Sequence, residues 1–210
     1  NANTDGYSRQ LVNQQAANSL RTYTTYGCSG AGVETTSIER QRDAFYDFKY
    51  WNNNANKGEF SELEYYMKQI EDAFKDDSTV DGFSTIFQKM YTMIQELDKN
   101  SGDPVTKTQF LGFAGNLTYY FNNMAGKLTT LQSDCNQELK NVVSQINSYA
   151  EEIASLNQQI NVIELSGSMA NELRDQRDLL IDKLSELVDL TTEEQPVYDT
   201  NNSGRETGAT

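Results

Sequence analysis

Histidine is absent from the 210 residues. With it go the commonest general base, the Ser-His and Cys-His nucleophile pairs and most zinc sites. Only 2 prolines and 13 glycines interrupt the text, a balance that suits long, solvated helices better than a compact globule. The 2 cysteines, Cys28 and Cys135, stand too far apart in sequence for a metal-ligand spacing and read as free thiols. No stretch approaches the ~18 apolar residues that a transmembrane helix requires. The opening "NANTDGYSRQ" lacks the charged and apolar parts of a secretory signal. Basic residues are also scarce: 17 Lys and Arg stand against 31 Asp and Glu, a net charge of −14. Such a field repels phosphate backbones and anionic lipid headgroups, so neither nucleic acid nor membrane is expected as a partner.

What is present is helical text with a short β-like preface. In residues 7 to 38, "YTTYG" and "GVETTSI" flank the glycine-rich "CSGAG" and predict short strands or a hairpin around that loop. From Ile38 onward the period changes to helix. Phe60, Leu63, Met67, Ile70 and Phe74 make one helical face, and Val80, Phe83, Phe87, Met90, Ile94 and Leu97 make the next. "DKNSGDP" then breaks the pattern, with Asp103 as N-cap and Pro104 in the first helical position.

From Pro104 the longest stripe begins. Leu139, Ile146, Ile153 and Ile160 recur every seven residues, with Val142, Tyr149, Leu156 and Ile163 between them, which is a coiled-coil seam. The seam runs back through Cys135, Leu131, Leu128, Met124, Phe121, Leu117 and Ala114. It predicts one helix over 104–164, ~90 Å at ~1.5 Å per residue, with Cys135 buried and Gly112, Gly115 and Gly126 marking close helix contacts. Gly167 is the expected C-terminal cap. Leu173, Leu180, Leu184 and Leu187 form a further amphipathic helix to about Leu190, returning antiparallel. Past it, "TTEEQPVYDTNNSGRETGAT" loses helical period, and both ends of the chain read as cut.

The polar clusters read as structural. In "RDQRD" (174–178), Arg174 and Asp178 are four apart and can pair, Asp175 lies near the positive end of its helix, and Arg177 flanks the leucine stripe. The carboxylates of "EFSELE" and "SYAEEI" fit solvated helix faces rather than the paired acids of a glycosidase. Phe45, Phe48, Trp51, Tyr65, Tyr66, Tyr119 and Tyr120 fit packing contacts, and Asn147, Asn157 and Asn161 fit register-setting positions. The fold class expected is mainly α: an elongated antiparallel helical bundle with long coiled-coil-like helices and a short β or extended N-terminal region. No catalytic residue, cofactor or metal site is expected.

"NANTDGYSRQ", "GVETTSIERQRDAFYDF", "QINSYAEEIASLNQQI" and "NELRDQRDLLIDKLSELV", in this order, resemble the hook-associated family of bacterial flagellar axial proteins. The matching motif positions are Asn3, Gly6, Tyr7, Ser8, Arg9 and Gln10 at the start, and Asn171, Leu173, Asp175, Arg177 and Asp178 in the last helix, all carried over as structural positions. The cysteines and Arg174, where an apolar residue is more usual, depart from the family pattern. The resemblance implies a non-enzymatic structural component of the hook–filament junction, extracellular, and exported through the flagellar type III apparatus without a cleaved signal peptide. Implied partners are the hook protein, hook-associated protein 3, copies of the same chain in an axial ring, and an export chaperone acting through a C-terminal part beyond this sequence. Implied domains are 1–38, the end of an inner terminal arm with an extended or β-hairpin connector; 39–190, a long-helix bundle; and 191–210, the entrance to a variable β-rich outer domain. Hook-associated protein 3, flagellin and, from another class, the helical sensing domain of a surface receptor or a coiled-coil adhesin are the alternatives. An axial protein carrying a peptidoglycan hydrolase module would need that module elsewhere in the gene.

Overall fold

The computed structural model describes residues 3–18, 20–21, 28–77 and 81–196. Four strands, β1 (Gln10–Ala16), β2 (Leu20–Arg21), β3 (Cys28–Ser29) and β4 (Val33–Arg40), precede four helices, α1 (Ala44–Ala73), α2 (Phe83–Lys99), α3 (Pro104–Leu165) and α4 (Asn171–Ser185). The chain divides into two compact units, one of residues 1–59 with 144–210 and one of residues 60–143.

In the first unit β1 and β4 pair antiparallel, from Gln10 opposite Arg40 to Ala16 opposite Val33, with a shift of register at Asn13 and Gln14. The short pair β2 and β3 is nested between them in sequence. The partner of "GVETTSI" is "QLVNQQA"; "YTTYG", residues 23–27, lies outside the described residues. The strand outlasts Ile38 and ends at Arg40, because pairing with Gln10 and a hydrogen bond from the Gln41 amide to the Arg9 carbonyl at 2.7 Å extend the ribbon two residues further.

Helix α4 runs back along the end of α3 in this unit, as the contacts of Arg174 with Glu164 and of Arg177 with Asn157 require. It stops at Ser185, short of Leu190. Its best-buried positions are Asn171, Arg174, Asp175, Asp178, Ile181 and Ser185, whereas Leu173, Leu180, Leu184 and Leu187 are half-buried. The apolar centre comprises Trp51, Ile160, Ala170 and Ile181, with Ile160 fully enclosed.

The second unit holds the rest of α1, α2 and the first two-thirds of α3. Ile86 and Met124 are its buried apolar residues, and Phe83 contacts Phe87 and Phe121 at ring separations of 5.6 and 5.8 Å. Asp103 caps α3 as its sequence implies: its carboxylate accepts the Val105 and Thr106 amides at 3.1 and 3.2 Å and the Thr106 hydroxyl at 2.7 Å. Those bonds, the hydroxyl's above all, hold the Asp103 carboxyl below the usual range. Asp76 does the same for the start of α2, accepting from Gly82 and Thr85.

Helix α3 is unbroken through 62 residues and Gly167 follows it at φ +87°. On α3 most of the expected stripe is covered, Ile146, Tyr149, Ile153, Leu156 and Ile160 among them, whereas on α1 and α2 the covered faces depart in part from the stripes above. On α1, Phe60, Leu63, Met67 and Phe74 are exposed, while Asp47, Trp51, Asn54, Gly58, Tyr66, Gln69 and Ile70 lie on the covered side. In the first unit, a Cβ at Gly58 would clash with the Glu186 carbonyl oxygen, so α1 meets the residue that follows α4 backbone to backbone at that point. On α2 the covered series is Ile86, Met90, Met93 and Leu97, one step out of phase with Phe83, Phe87 and Ile94, which are exposed; Val80 lies outside the described residues. Of the aromatics expected to pack, Trp51 is buried and Tyr66 and Tyr120 half-buried, but Phe45, Phe48, Tyr65 and Tyr119 are exposed.

Cys135 is a free, exposed thiol, not a buried one. Residues 132–141 are exposed throughout, Leu139 included, and cover resumes at Val142. One side of the thiol meets Tyr66, whose phenol is pushed up to about 12 by lost hydration and by Cys135 and Glu138. The thiol itself stays exposed, so the heptad spacing is kept while no described residue closes the seam over 132–141.

Gly112, Gly115 and Gly126 likewise face open space, so among the described residues they mark no close contact between helices. Replacing each by alanine should raise stability by up to about 1 kcal/mol through helix propensity, whereas Gly58→Ala should lower it by about 1–3 kcal/mol through the forced backbone shift; urea unfolding followed by circular dichroism separates the two classes. Cys135 should react with a thiol reagent in the folded protein about as readily as in the unfolded chain, and Cys135→Ser should change stability by less than about 0.5 kcal/mol.

Candidate functional site

Asp175, Asp178 and Asp182 recur on α4 at steps of three and four, which lines their carboxylates along one helical face. Three carboxylates on one face repel one another unless cations meet them. The end of β4 and the start of α1 supply those cations. Arg40 Nη1 lies 2.8 Å from Asp175 Oδ1 and 2.7 Å from Asp178 Oδ2, with side-chain exposures of 9–12% across the three residues. Arg42 binds Asp47 through Nε at 2.7 Å and reaches Asp178 and Asp182 at 3.5 and 3.9 Å. Burial alone would lower the Arg42 pKa, but Asp47, Asp178 and Asp182 overcome it and raise it.

The N-terminal stretch closes the same cluster. Gly6 adopts φ +77°, and a Cβ there would stand 2.9 Å from Leu179 Cβ and 3.4 Å from the Asp175 carbonyl oxygen. Glycine is thus required twice over, by conformation and by approach. The bend lets the buried Ser8 donate its amide to Asp175 Oδ2 at 3.2 Å, while Arg42 donates to the Ser8 hydroxyl at 3.5 Å.

Trp51 of α1 completes the far end. Its Nε1–H donates to Asp182 Oδ1 at 2.6 Å, and Asn54 donates to the Asp182 carbonyl and the Ser185 hydroxyl. Burial pushes the Asp182 carboxyl up; the Trp51 bond and Arg42 pull it down, and Asp47 and Asp178 add to the rise. Asn171 donates to the Ile38 carbonyl at 2.8 Å, fixing the start of α4 to β4.

A second network lies across α4. Arg174 does not pair with Asp178 four residues on, as the spacing suggests. Its Nε and Nη2 fork onto the two oxygens of Glu164 at 2.6 Å each, a geometry that a planar guanidinium favours over an i, i+4 contact. Glu164, first among the causes, raises the Arg174 pKa against the effect of burial. Arg177 donates to Asn157 of α3 at 3.4 Å and to Glu194 at 2.8 Å.

Of the motif positions, the structure brings together Gly6, Ser8, Asp175 and Asp178, with Arg177 alongside at 3.6 Å from Asp178. Gln10, Asn171 and Leu173 line a neighbouring groove beside Ile38. Asn3, Tyr7 and Arg9 are exposed. The residues that complete the cluster, Arg40, Arg42, Asp47, Trp51 and Asp182, were not singled out as a set. The visible signal was the Asp-x-x-Asp-x-x-x-Asp spacing in 175–182 and the two arginines of "ERQRD". Among the described residues no group of His, Cys, Asp and Glu has the arrangement to hold a metal ion. What the cluster can do is mechanical: it ties the N-terminal stretch, the ribbon, α1 and α4 at one point.

The two acids at its centre should respond oppositely to neutralisation. Asp178→Asn removes the charge facing Arg40 and Arg42 and should cost about 3 kcal/mol. Asp182→Asn keeps an acceptor for Trp51 and should leave stability at pH 7 unchanged or raised by up to about 1 kcal/mol. Because the folded-state pKa of Asp182 is raised, the wild type's proton-linked stabilisation is present below the unfolded carboxyl pKa and is lost as pH rises through the folded one. The gap between Asp182→Asn and wild type should therefore narrow on acidification toward about pH 4, as measured by urea unfolding at several pH values.

The model of the flagellar hook-associated protein FlgK helical domain matches residues 67–203, about two-thirds of the chain. Three relatives are each named flagellar hook-associated protein 1. That of Bacillus subtilis is 36% identical over 197 residues, covering 90% of this chain and 38% of that protein. That of Salmonella typhimurium is 32% identical over 191 residues, with 90% and 34% covered, and that of Escherichia coli is 30% identical over 188, with 89% and 34% covered. The chain thus spans a little over a third of the length of these relatives. With a helical-domain model aligned to α2, α3, α4 and the last residues of α1, this chain belongs to the flagellar hook-associated protein FlgK helical-domain family.

Proposed function

We propose that the protein containing this chain is a structural component of the bacterial flagellum at the junction between hook and filament, and that it acts without catalysis. Its location is then outside the cell, reached by flagellar type III export without a cleaved signal; among the described residues no helix is long and apolar enough to cross a membrane. Its neighbours are the hook protein, hook-associated protein 3 and copies of itself in an axial ring, with an export chaperone engaging a part beyond this sequence. Residues 1–38 serve as the end of an inner arm with its connector, 39–190 as the long-helix bundle, and 191–210 as the approach to an outer domain.

The family match and the three relatives support this reading ahead of hook-associated protein 3, flagellin or a receptor domain. The structural observation that carries it is the buried bond between Ser8 and Asp175, with Arg40 on the same carboxylate. A junction protein has to pass load from its N-terminal arm into its helical body, and a desolvated, charge-assisted contact gives that path stiffness. Asn3, Gly6, Tyr7, Ser8, Arg9 and Gln10 act in this reading as the arm's coupling, and Asn171, Leu173, Asp175, Arg177 and Asp178 as its seat.

The test is a deletion of the gene in the source bacterium, scored by electron microscopy and by spreading in soft agar. Cells without the protein should carry hooks that bear no filament, and the full-length gene supplied in trans should restore filaments. Filaments of normal number and attachment in the deletion strain would contradict the proposal.

A further inference from the structure

After α4 ends at Ser185 the chain turns, and residues 189–196 follow in neither helix nor strand. This segment is not free. It forms one wall of a cavity of about 760 Å³ whose floor includes Phe48, Trp51, Ile153, Ile181 and Leu184. Leu190 is half-buried at the edge of that floor, while residues 191–196 are exposed. Four residues on, the Glu194 carboxylate is gripped twice, by Arg174 Nη1 at 3.1 Å and by Arg177 Nη2 at 2.8 Å. The arginines are well buried and the glutamate is 55% exposed. The grip is thus built on fixed cations and a solvent-facing anion.

We propose that residues 190–194 are a latched strap across this cleft, and that Glu194 closing on Arg174 and Arg177, rather than the end of α4, sets where the chain leaves the unit. Fixed positions support the two arginines: Arg174 is forked onto Glu164 and Arg177 is braced by Asn157. Residues 189–196 lie in no helix or strand, and among the described residues the contacts that place them are the cavity lining of Leu190–Glu194 and the Glu194 ion pairs. Such a contact, exposed on one side, is weakened by salt and by loss of a single charge. The cleft combines apolar lining from Phe48, Trp51 and Ile181 with charged groups of both signs, and "LTTEE" forms its wall beside Arg174 and Arg177. When the latch opens, residues 190–196 leave the cleft without any change in the helices.

A nitroxide at Gln195→Cys, in a background with Cys28→Ser and Cys135→Ser, reads this directly by electron paramagnetic resonance. The labelled parent should show a slow, immobilised component at low salt. Glu194→Gln should raise the mobile fraction about two- to tenfold, Arg177→Gln should do the same, and both should keep the parent's helicity by circular dichroism. About 1 M salt, where the Debye length is ~3 Å, should mobilise the parent and add nothing to Glu194→Gln. Acrylamide quenching of Trp51, the single tryptophan, should rise in parallel because it lines the same cavity. A parent label as mobile as that of Glu194→Gln, or one indifferent to salt, would overturn the proposal. Because Glu194 is half-exposed, that variant tests the latch without threatening the fold.

Discussion

Arg40 between Asp175 and Asp178 is the contact on which the arrangement of the first unit depends. A helix that turns three carboxylates inward cannot be seated by the hydrophobic effect alone, because each buried anion costs several kcal/mol unless a cation and hydrogen bonds meet it. Arg40 arrives at that point only because β4 pairs with β1 through its last residue, and Arg42 only because the chain then turns into α1. Ser8 arrives because Gly6 can bend against Leu179. The same three carboxylates thus fix the strand ribbon, the first helix and the N-terminal stretch, and a shift in any one would leave charge buried without its partner. This makes the seat specific rather than merely sticky.

The second network has a different character. Glu164 and Arg174 form a two-point pair between the end of α3 and the start of α4, with the acid only 3% exposed. It spans the turn around Gly167, and the same carboxylate accepts the Ala170 amide at 3.4 Å. A buried pair of this kind adds little net stability over a well-packed apolar substitute, yet breaking half of it is costly. The turn is therefore held by a contact that specifies geometry, and the two arginines that flank it remain available to bind Glu194 on their outer side.

Much of the fold was legible in the text. Asp103 and Pro104 predicted the start of α3 and Gly167 its stop, because capping is a local matter decided within four residues. The length of α3 followed from a stripe with no proline. Which face of each helix is covered was much less legible, because α1 and α2 carry apolar residues on more than one face and only the neighbouring element decides between them. At Gly58 it is the absence of a side chain that admits the Glu186 carbonyl at close range. Cys135 shows the converse, since its heptad position held while the neighbour needed to cover it did not. At the site, the acidic spacing on α4 was visible, but its cations come from residues more than 130 positions away. No local pattern joins "ERQRD" to "RDQRD".

Arg40 and Asp178 are energetically coupled across that distance, and a double-mutant cycle measures the coupling directly. Arg40→Met, Asp178→Asn and the double variant would be compared with wild type by urea unfolding at pH 7. Arg40→Met leaves Asp175 and Asp178 without their shared cation, Asp178→Asn removes one of the two anions that Arg40 holds, and Asp178→Asn costs less once Arg40 is gone, so a coupling of about 2–3 kcal/mol is expected. A coupling below about 0.5 kcal/mol, the level at which distant sites add independently, would contradict it and would mean that α4 is seated by its apolar residues alone.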